Sequence, residues 1–426
     1  MRTAFFALCL ALAWFVPAGA FAEPLPSIDP DRVGLATAQL AEVDALLQSY
    51  VNEGKLAGIV MLTARDGKIA HAGVYGQMDL EEGRPMRRDS LFRIYSMTKP
   101  ITGAALMTLF DEGRFKLDDP VAKYLPGFDK IKVFAGDEGG TIKLADLQRP
   151  VTIRDLMCHT AGLAYGLMSA SPVDEMYKEA RLLDRTKNLD SMLERLVKIP
   201  LAIQPGEKWM YSIAVDVQGK LIEALSGKPL DEYLAERVFG PLAMPDTGFY
   251  VPADKLDRLT VNYGKKDGLL SPVDGSKSSQ FATKPTLFSG GGGLVSTADD
   301  YLRFTQMMLN RGELDGVRIL KPETVDLMTR NHLAEKLVPI KLGPLPLANT
   351  GFGLDFAVRV KTGEGEPPGS LGEYWWGGAA STQFFIAPRE NLISIGMTQF
   401  MPATPTYFMD ARKKLYTALR EPAAAK

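Results

Sequence analysis

Hydrophobic positions recur at helical spacing over residues 37–55, where Leu40, Val43, Leu46, Leu47 and Val51 share one face, so an N-terminal amphipathic helix is expected there. Two apolar runs follow, 58–64 and 69–75, on either side of Asp66-Gly67. That pattern reads as a β-hairpin with a tight turn. The stretch Phe92-Arg93-Ile94-Tyr95 is strand-like and breaks near Ser96 into a helix expected to stop at Gly113. Ala104, Ala105, Leu106, Leu109 and Phe110 make this helix apolar almost all round, which predicts that it is buried.

From about 118 to 285 the pattern changes. Short helical segments at 153–157, 188–197, 214–225 and 230–238 alternate with breakers such as Leu125-Pro126-Gly127 and Gln204-Pro205-Gly206, and strand-like alternation is scarce. This is the signature of a mostly helical insertion with long loops. Beyond Gly293 a helix is expected over 297–310, then strands over 352–360, 373–386 and 392–399, then a closing helix over 404–419. Strand pairs near both ends imply one antiparallel sheet assembled from the two termini and flanked by helices, an α/β architecture of the α+β kind. The expected division is a discontinuous sheet domain at 23–118 and 286–426, a helical domain at 119–285, and an active site at their interface.

Composition narrows the partners. A chain of 426 residues with 46% hydrophobic and 23% charged residues and a net charge of −2 is an ordinary globular protein, with nothing that calls for nucleic acid or an anionic membrane surface. Residues 1–22 differ from the rest. A basic start, an apolar run from Ala4 to Val16 too short to span a bilayer, and Ala20-Phe21-Ala22 before Glu23 read as a secretory signal peptide cleaved after Ala22. A periplasmic or secreted protein without a membrane anchor is expected. Cys158 is then the sole cysteine, so no internal disulfide forms, and a small buried hydrophobe is the reading preferred over a nucleophile beside His159. His71, His159 and His332 have no metal-ligand spacing, and Gly290-Gly291-Gly292-Gly293 lacks the Lys-Ser/Thr of a phosphate loop, so neither metal nor cofactor is expected. The oligomeric state is not legible.

The chemistry starts at Ser96 and Lys99. On a helix, a spacing of three puts hydroxyl and amine on one face, where a lysine whose pKa is lowered by a dry setting can be neutral and take the serine's proton. The helix N-terminus favours the oxyanion that forms when Ser96 attacks a carbonyl. Alone, Ser-x-x-Lys is expected about once by chance in a chain this long. Two further pieces give it weight. Pro205-Gly206-Glu207 delivers Tyr211 to the start of a helix, where a phenol near Lys99 shares or relays the proton. Trp375-Trp376-Gly377-Gly378-Ala379-Ala380, expected within a strand, carries two glycines that suit a close backbone approach by a ligand and an oxyanion-binding N–H.

Together these landmarks resemble the serine β-lactamase and penicillin-binding superfamily, and within it the class C-like branch with the family VIII carboxylesterases. In order they are Ser96-x-x-Lys99, His159-Thr160-Ala161-Gly162-Leu163, Tyr211-Ser212, Gly291-Gly292-Gly293-Leu294 and Trp376-Gly377-Gly378. The resemblance implies a β-lactamase-like fold, Ser96 as acylated nucleophile, Lys99 and Tyr211 as its proton relay, Ala379 as the second oxyanion donor and a structural His159. Two departures bear on specificity. Class C β-lactamases carry Asn where this chain has Ile213, and Lys-Thr-Gly where it has Trp376-Gly377-Gly378. An apolar residue for an amide and an indole for a cation favour neutral, apolar acyl groups over anionic lactams. The triplet Lys361-Thr362-Gly363 is expected to be a loop tip, and Gly-x-Ser-x-Gly is absent, which argues against the α/β-hydrolase fold. The expected activity is hydrolysis of small, short-chain acyl esters through an acyl-enzyme, with weak cephalosporin turnover. The alternatives are a class C-like β-lactamase or D-amino-acid peptidase, and a catalytically silent scaffold.

Overall fold

The computed structural model describes residues 24–166, 171–343, 345–363 and 369–420, so the signal-peptide reading of 1–22 lies outside the described residues. The main sheet has eight antiparallel strands: β1 Gly58–Arg65, β2 Lys68–Asp79, β3 Arg84–Pro85, β4 Thr350–Phe352, β5 Ala357–Arg359, β6 Tyr374–Gly377, β7 Gln383–Ala387 and β8 Leu392–Met397. Their spatial order is β4-β5-β6-β7-β8-β1-β2-β3, so the two ends of the chain meet where β1 pairs β8 with Val60 opposite Met397 and Leu62 opposite Ile395.

The period-2 alternation of β1 explains the layering. Ile59 and Met61 face one side, where they pack with Leu40, Val43 and Leu47 of α1 (Thr37–Asn52) and with Tyr407, Ala411 and Leu415 of the closing helix. Val60, Leu62 and Ala64 face the other side, in a core shared with Ile101, Ala105 and Leu109 of α2 (Thr98–Asp111). With both faces covered, β1 has no polar face, as its unbroken apolar run requires. α2 is buried from Thr98 to Leu109 and packs on α3 (Ala214–Ser226), so one continuous core runs from the sheet through α2 into the helical segment. α4 (Ala298–Leu309) is capped by Thr297, whose side chain accepts from the Asp300 N–H, and α5 (Thr406–Ala418) closes the fold.

Three sequence expectations are corrected. The run 352–360 is two strands, because Gly353 donates to Phe356 O and Asp355 turns the chain at φ +64°. The run 373–386 is likewise two strands, β6 and β7, joined by a turn at 378–382. In the middle of the chain, hairpins at Val133–Glu138 with Thr141–Ala145 and at Asn262–Lys266 with Leu269–Asp274 stand where strands were thought scarce. Their outward residues are largely exposed, so neither carries the apolar alternation that announces a buried strand.

Candidate active site

The short strand Phe92–Arg93, paired with Val295–Ser296, leads the chain to the site. Tyr95 then adopts φ +42°, a left-handed conformation that is costly for a non-glycine residue, and its ring is held edge-on against Phe281 at 5.9 Å. This bend sets Ser96, half-buried, in a single 3-10 turn, Tyr95–Met97, with α2 starting directly after it. Lys99 lies in the first turn of α2, 1% exposed. Pro100 is tolerated there because a first-turn N–H has no intrahelical acceptor to lose.

Lys99 Nζ donates to Gly291 O at 2.6 Å, Ser96 Oγ at 3.3 Å and Tyr165 Oη at 3.4 Å. It also sits 4.6 Å from the centroid of the Tyr211 ring. Tyr211 stacks on Tyr165 with centroids 5.4 Å apart, and its Oη accepts from Trp376 Nε1 at 3.3 Å. Ser96, Lys99, Tyr211 and Trp376, distant in sequence, are thus linked in one hydrogen-bonded and stacked group. The dry setting has an unexpected outcome. Burial alone pushes the Lys99 ammonium down, but the surrounding Tyr165, Tyr211 and Asp216 oxygens outweigh it, and the net displacement is upward. The expectation of a lysine neutralised by burial is therefore corrected: Lys99 rests as a cation. Burial also raises the Tyr165 phenol, to about 12, against the pull of Lys99.

Trp376, one residue before the end of β6, is 5% exposed, with its indole edge-on to Phe352 at 5.5 Å. Gly377 and Gly378 are also required by packing within the fold. A Cβ on Gly377 would lie 2.3 Å from the Gln383 side chain, and one on Gly378 would lie 2.5 Å from Ile94 O. The glycines let the 378–382 turn press against the backbone two residues before Ser96. Ala379 is in this turn rather than in a strand; the turn's closing bonds run from Gly378 N to Thr382 O and from Ser381 N to Gly378 O. Ile213 is buried in the core, stands at the N-cap of α3 and donates its N–H to Ala164 O at 3.1 Å.

Two site residues escaped the sequence reading. Tyr165 carries no periodic or motif signal beyond following the His159–Leu163 landmark. Asp216 carried one: a carboxylate between Val215 and Val217 on a helix otherwise buried along that face. His159 packs behind Tyr211 at 5.0 Å, its Nδ1 sharing a hydrogen bond with Ser212 Oγ at 3.1 Å, and burial with the nearby Lys99 holds it well below the usual imidazole range. Cys158 is buried and its thiol is pushed far up by burial, so it is a packing residue. Lys361-Thr362-Gly363 is exposed and outside the strands. A groove of about 330 Å³ walled by Tyr50, Lys55, Phe400 and Thr406 holds none of the site residues, so the site is assigned by its chemistry and not by cavity size.

A half-buried serine beside a buried lysine and a tyrosine, on an antiparallel sheet flanked by helices, belongs to the class of serine hydrolases with the β-lactamase fold. The sequence profile described as beta-lactamase matches residues 43–419, and the chain belongs to that family. Protein Rv1367c of Mycobacterium tuberculosis is 37% identical over 364 residues, covering 84% of this chain and 89% of its own length. Esterase EstB of Burkholderia gladioli is 33% identical over 382 residues, covering 84% and 90%. Among solved structures, EstCE1, described as a hydrolase with promiscuous acyltransferase activity, superposes with a TM-score of 0.76 at 27% identity, covering 89% of this chain and 99% of that one.

Proposed function

We propose that this protein is a serine carboxylesterase acting on small, neutral acyl esters through an acyl-enzyme on Ser96. The observation that carries the reading is the buried Lys99 Nζ within 3.3 Å of Ser96 Oγ, with Tyr211 lying over the same ammonium. Ser96 Oγ attacks the ester carbonyl and its proton enters the Lys99–Tyr211 pair. The N–H groups of Ser96 and Ala379 receive the developing oxyanion. The proton then goes to the leaving alcohol as the C–O bond breaks, and water repeats the sequence to release the acid.

Because Lys99 rests protonated, the competent enzyme is one proton short of the resting form. Lowering the pH depletes it and raising the pH populates it. Log kcat/KM is therefore expected to fall on acidification from pH 9 to pH 6, by at least about tenfold. A flat profile contradicts the relay.

Ile213 and Trp376 support the substrate class. With an indole where the lactamase pattern has a cation, the carboxylate of a lactam loses its partner as it leaves water. Turnover of p-nitrophenyl butyrate is expected to exceed that of a chromogenic cephalosporin by about two orders of magnitude in kcat/KM. A cephalosporin preference would return the site to the β-lactamase reading, and absence of both activities would favour the silent scaffold. EstCE1 motivates a second reading, in which an alcohol competes with water for the same acyl-enzyme. Its mark is a new ester formed at the expense of free acid when an alcohol is added.

A further inference from the structure

Asp216 is fully buried in the first turn of α3, five residues after Tyr211, and the relay above does not use it. Its Oδ1 accepts from Gly291 N at 3.2 Å and from Ser289 Oγ. The carbonyl of that same Gly291 accepts the shortest of the Lys99 Nζ bonds, at 2.6 Å. One peptide unit on each side of Gly291 Cα thus joins Asp216 to Lys99. The loop is fitted to this link. A Cβ on Gly291 would lie 2.5 Å from Asp216 Oδ2, and one on Gly290 would lie 2.6 Å from Val215 O. Thr102 Oγ1, on α2 one turn past Lys99, donates to Gly290 O at 2.9 Å and ties the loop from the other side. The glycine run that the sequence offered without a role is therefore a clamp between two helices.

Resting on the Ser96–Lys99–Tyr211 reading and extending it, we infer that Asp216 is a positioning residue. It fixes the Gly291 carbonyl that aims Lys99 at Ser96, and its carboxylate adds to the groups that favour the Lys99 cation. Tyr165 and Tyr211 act on the Lys99 charge ahead of Asp216, and Asp216 is the one of the three that also holds the Gly291 N–H. Burial raises the Tyr165 phenol to about 12, and burial with the nearby Lys99 holds His159 well below the usual imidazole range. Asp355, from the β4–β5 turn, is buried, accepts from Gln218 Nε2 at 3.1 Å, and is pushed well above the usual carboxylate range by burial. Asp216 is also raised by burial, but Lys99 and its two donors pull the other way.

The test is the pH profile of p-nitrophenyl butyrate hydrolysis by wild type and D216N. Removing the charge lowers the Lys99 pKa, so the acid limb of kcat/KM is expected to move about one unit toward lower pH. Slack in the Gly291 carbonyl is expected to lower kcat at least about tenfold with KM within twofold. A purely structural role would lower activity without moving the limb, and an unmoved limb overturns the inference. G291A, whose new Cβ displaces the carboxylate, is expected to shift the limb and kcat in the same directions, and serves should D216N not fold. An unshifted limb there is equally contrary. Ser96→Ala keeps the two levels apart: if it stays active, the Ser-Lys-Tyr reading fails, whereas a dead Ser96→Ala beside an unmoved D216N limb removes Asp216 alone.

Discussion

Ser96→Ala is expected to lower kcat for p-nitrophenyl butyrate by roughly 10⁴-fold or more, because removing the nucleophile from a coupled group costs nearly as much as removing the whole group. Folding should be almost indifferent. Ser96 is half-buried in a single turn, and its side-chain contact with Lys99 is a long 3.3 Å. A thermal midpoint within a few degrees of wild type is expected for a change of under about 1 kcal/mol. Loss of activity with an intact midpoint separates chemistry from misfolding. Retained activity would mean that another group attacks the ester.

Lys99→Met is the second large effect. Methionine keeps the length and apolar body of the side chain but neither donates to Ser96 nor moves a proton, so kcat/KM is expected to fall roughly 10³-fold. Stability should change in a pH-dependent way, and the sign follows from Asp216. With the cation gone, burial raises the Asp216 pKa further above its unfolded value. The protonated form is then favoured in the folded state, so the Asp216 contribution to stability is present at low pH and lost as pH rises through the folded pKa. The thermal midpoint of the variant is expected to drop relative to wild type between pH 5 and pH 8, as read by calorimetry. A gap between the two proteins that does not depend on pH contradicts a charge-bearing Asp216 beside Lys99.

Much of the architecture was legible because burial imposes periodicity. The 58–64 run and Asp66-Gly67 foretold β1, β2 and their turn, and the apolar helix after Ser96 is indeed enclosed on all sides. The two merged strand expectations failed for one physical reason. Asp355 and Ser381 take the left-handed positions of the turns at 353–356 and 378–382, but both residues are buried, and Leu354, Phe356 and Ala380 beside them carry the hydrophobic pattern through each bend. The exposed hairpins failed for the opposite reason, although Asp267-Gly268 offered a turn signal that was overlooked.

At the site, the motif residues Ser96, Lys99, Tyr211 and Trp376 were all named from sequence, and they do stand together in space. What sequence could not convey was the balance of forces at Lys99. A lone buried lysine is driven neutral, but this one donates to Tyr165 Oη and Gly291 O, lies against the Tyr211 ring and feels the Asp216 carboxylate beyond them. Composition holds no trace of that arrangement. Gly377 and Gly378 illustrate the same limit: their presence was informative, but the atoms that demand them, on Gln383 and Ile94, are known only from the fold.

The central claim is a covalent acyl-enzyme at Ser96. It is tested most directly by reacting the protein with a fluorophosphonate, digesting it and locating the adduct by mass spectrometry. The account predicts one stoichiometric adduct on Ser96, formed faster as pH rises and absent from Ser96→Ala. An adduct on a different residue, or an unlabelled protein that still hydrolyses p-nitrophenyl butyrate, would contradict it.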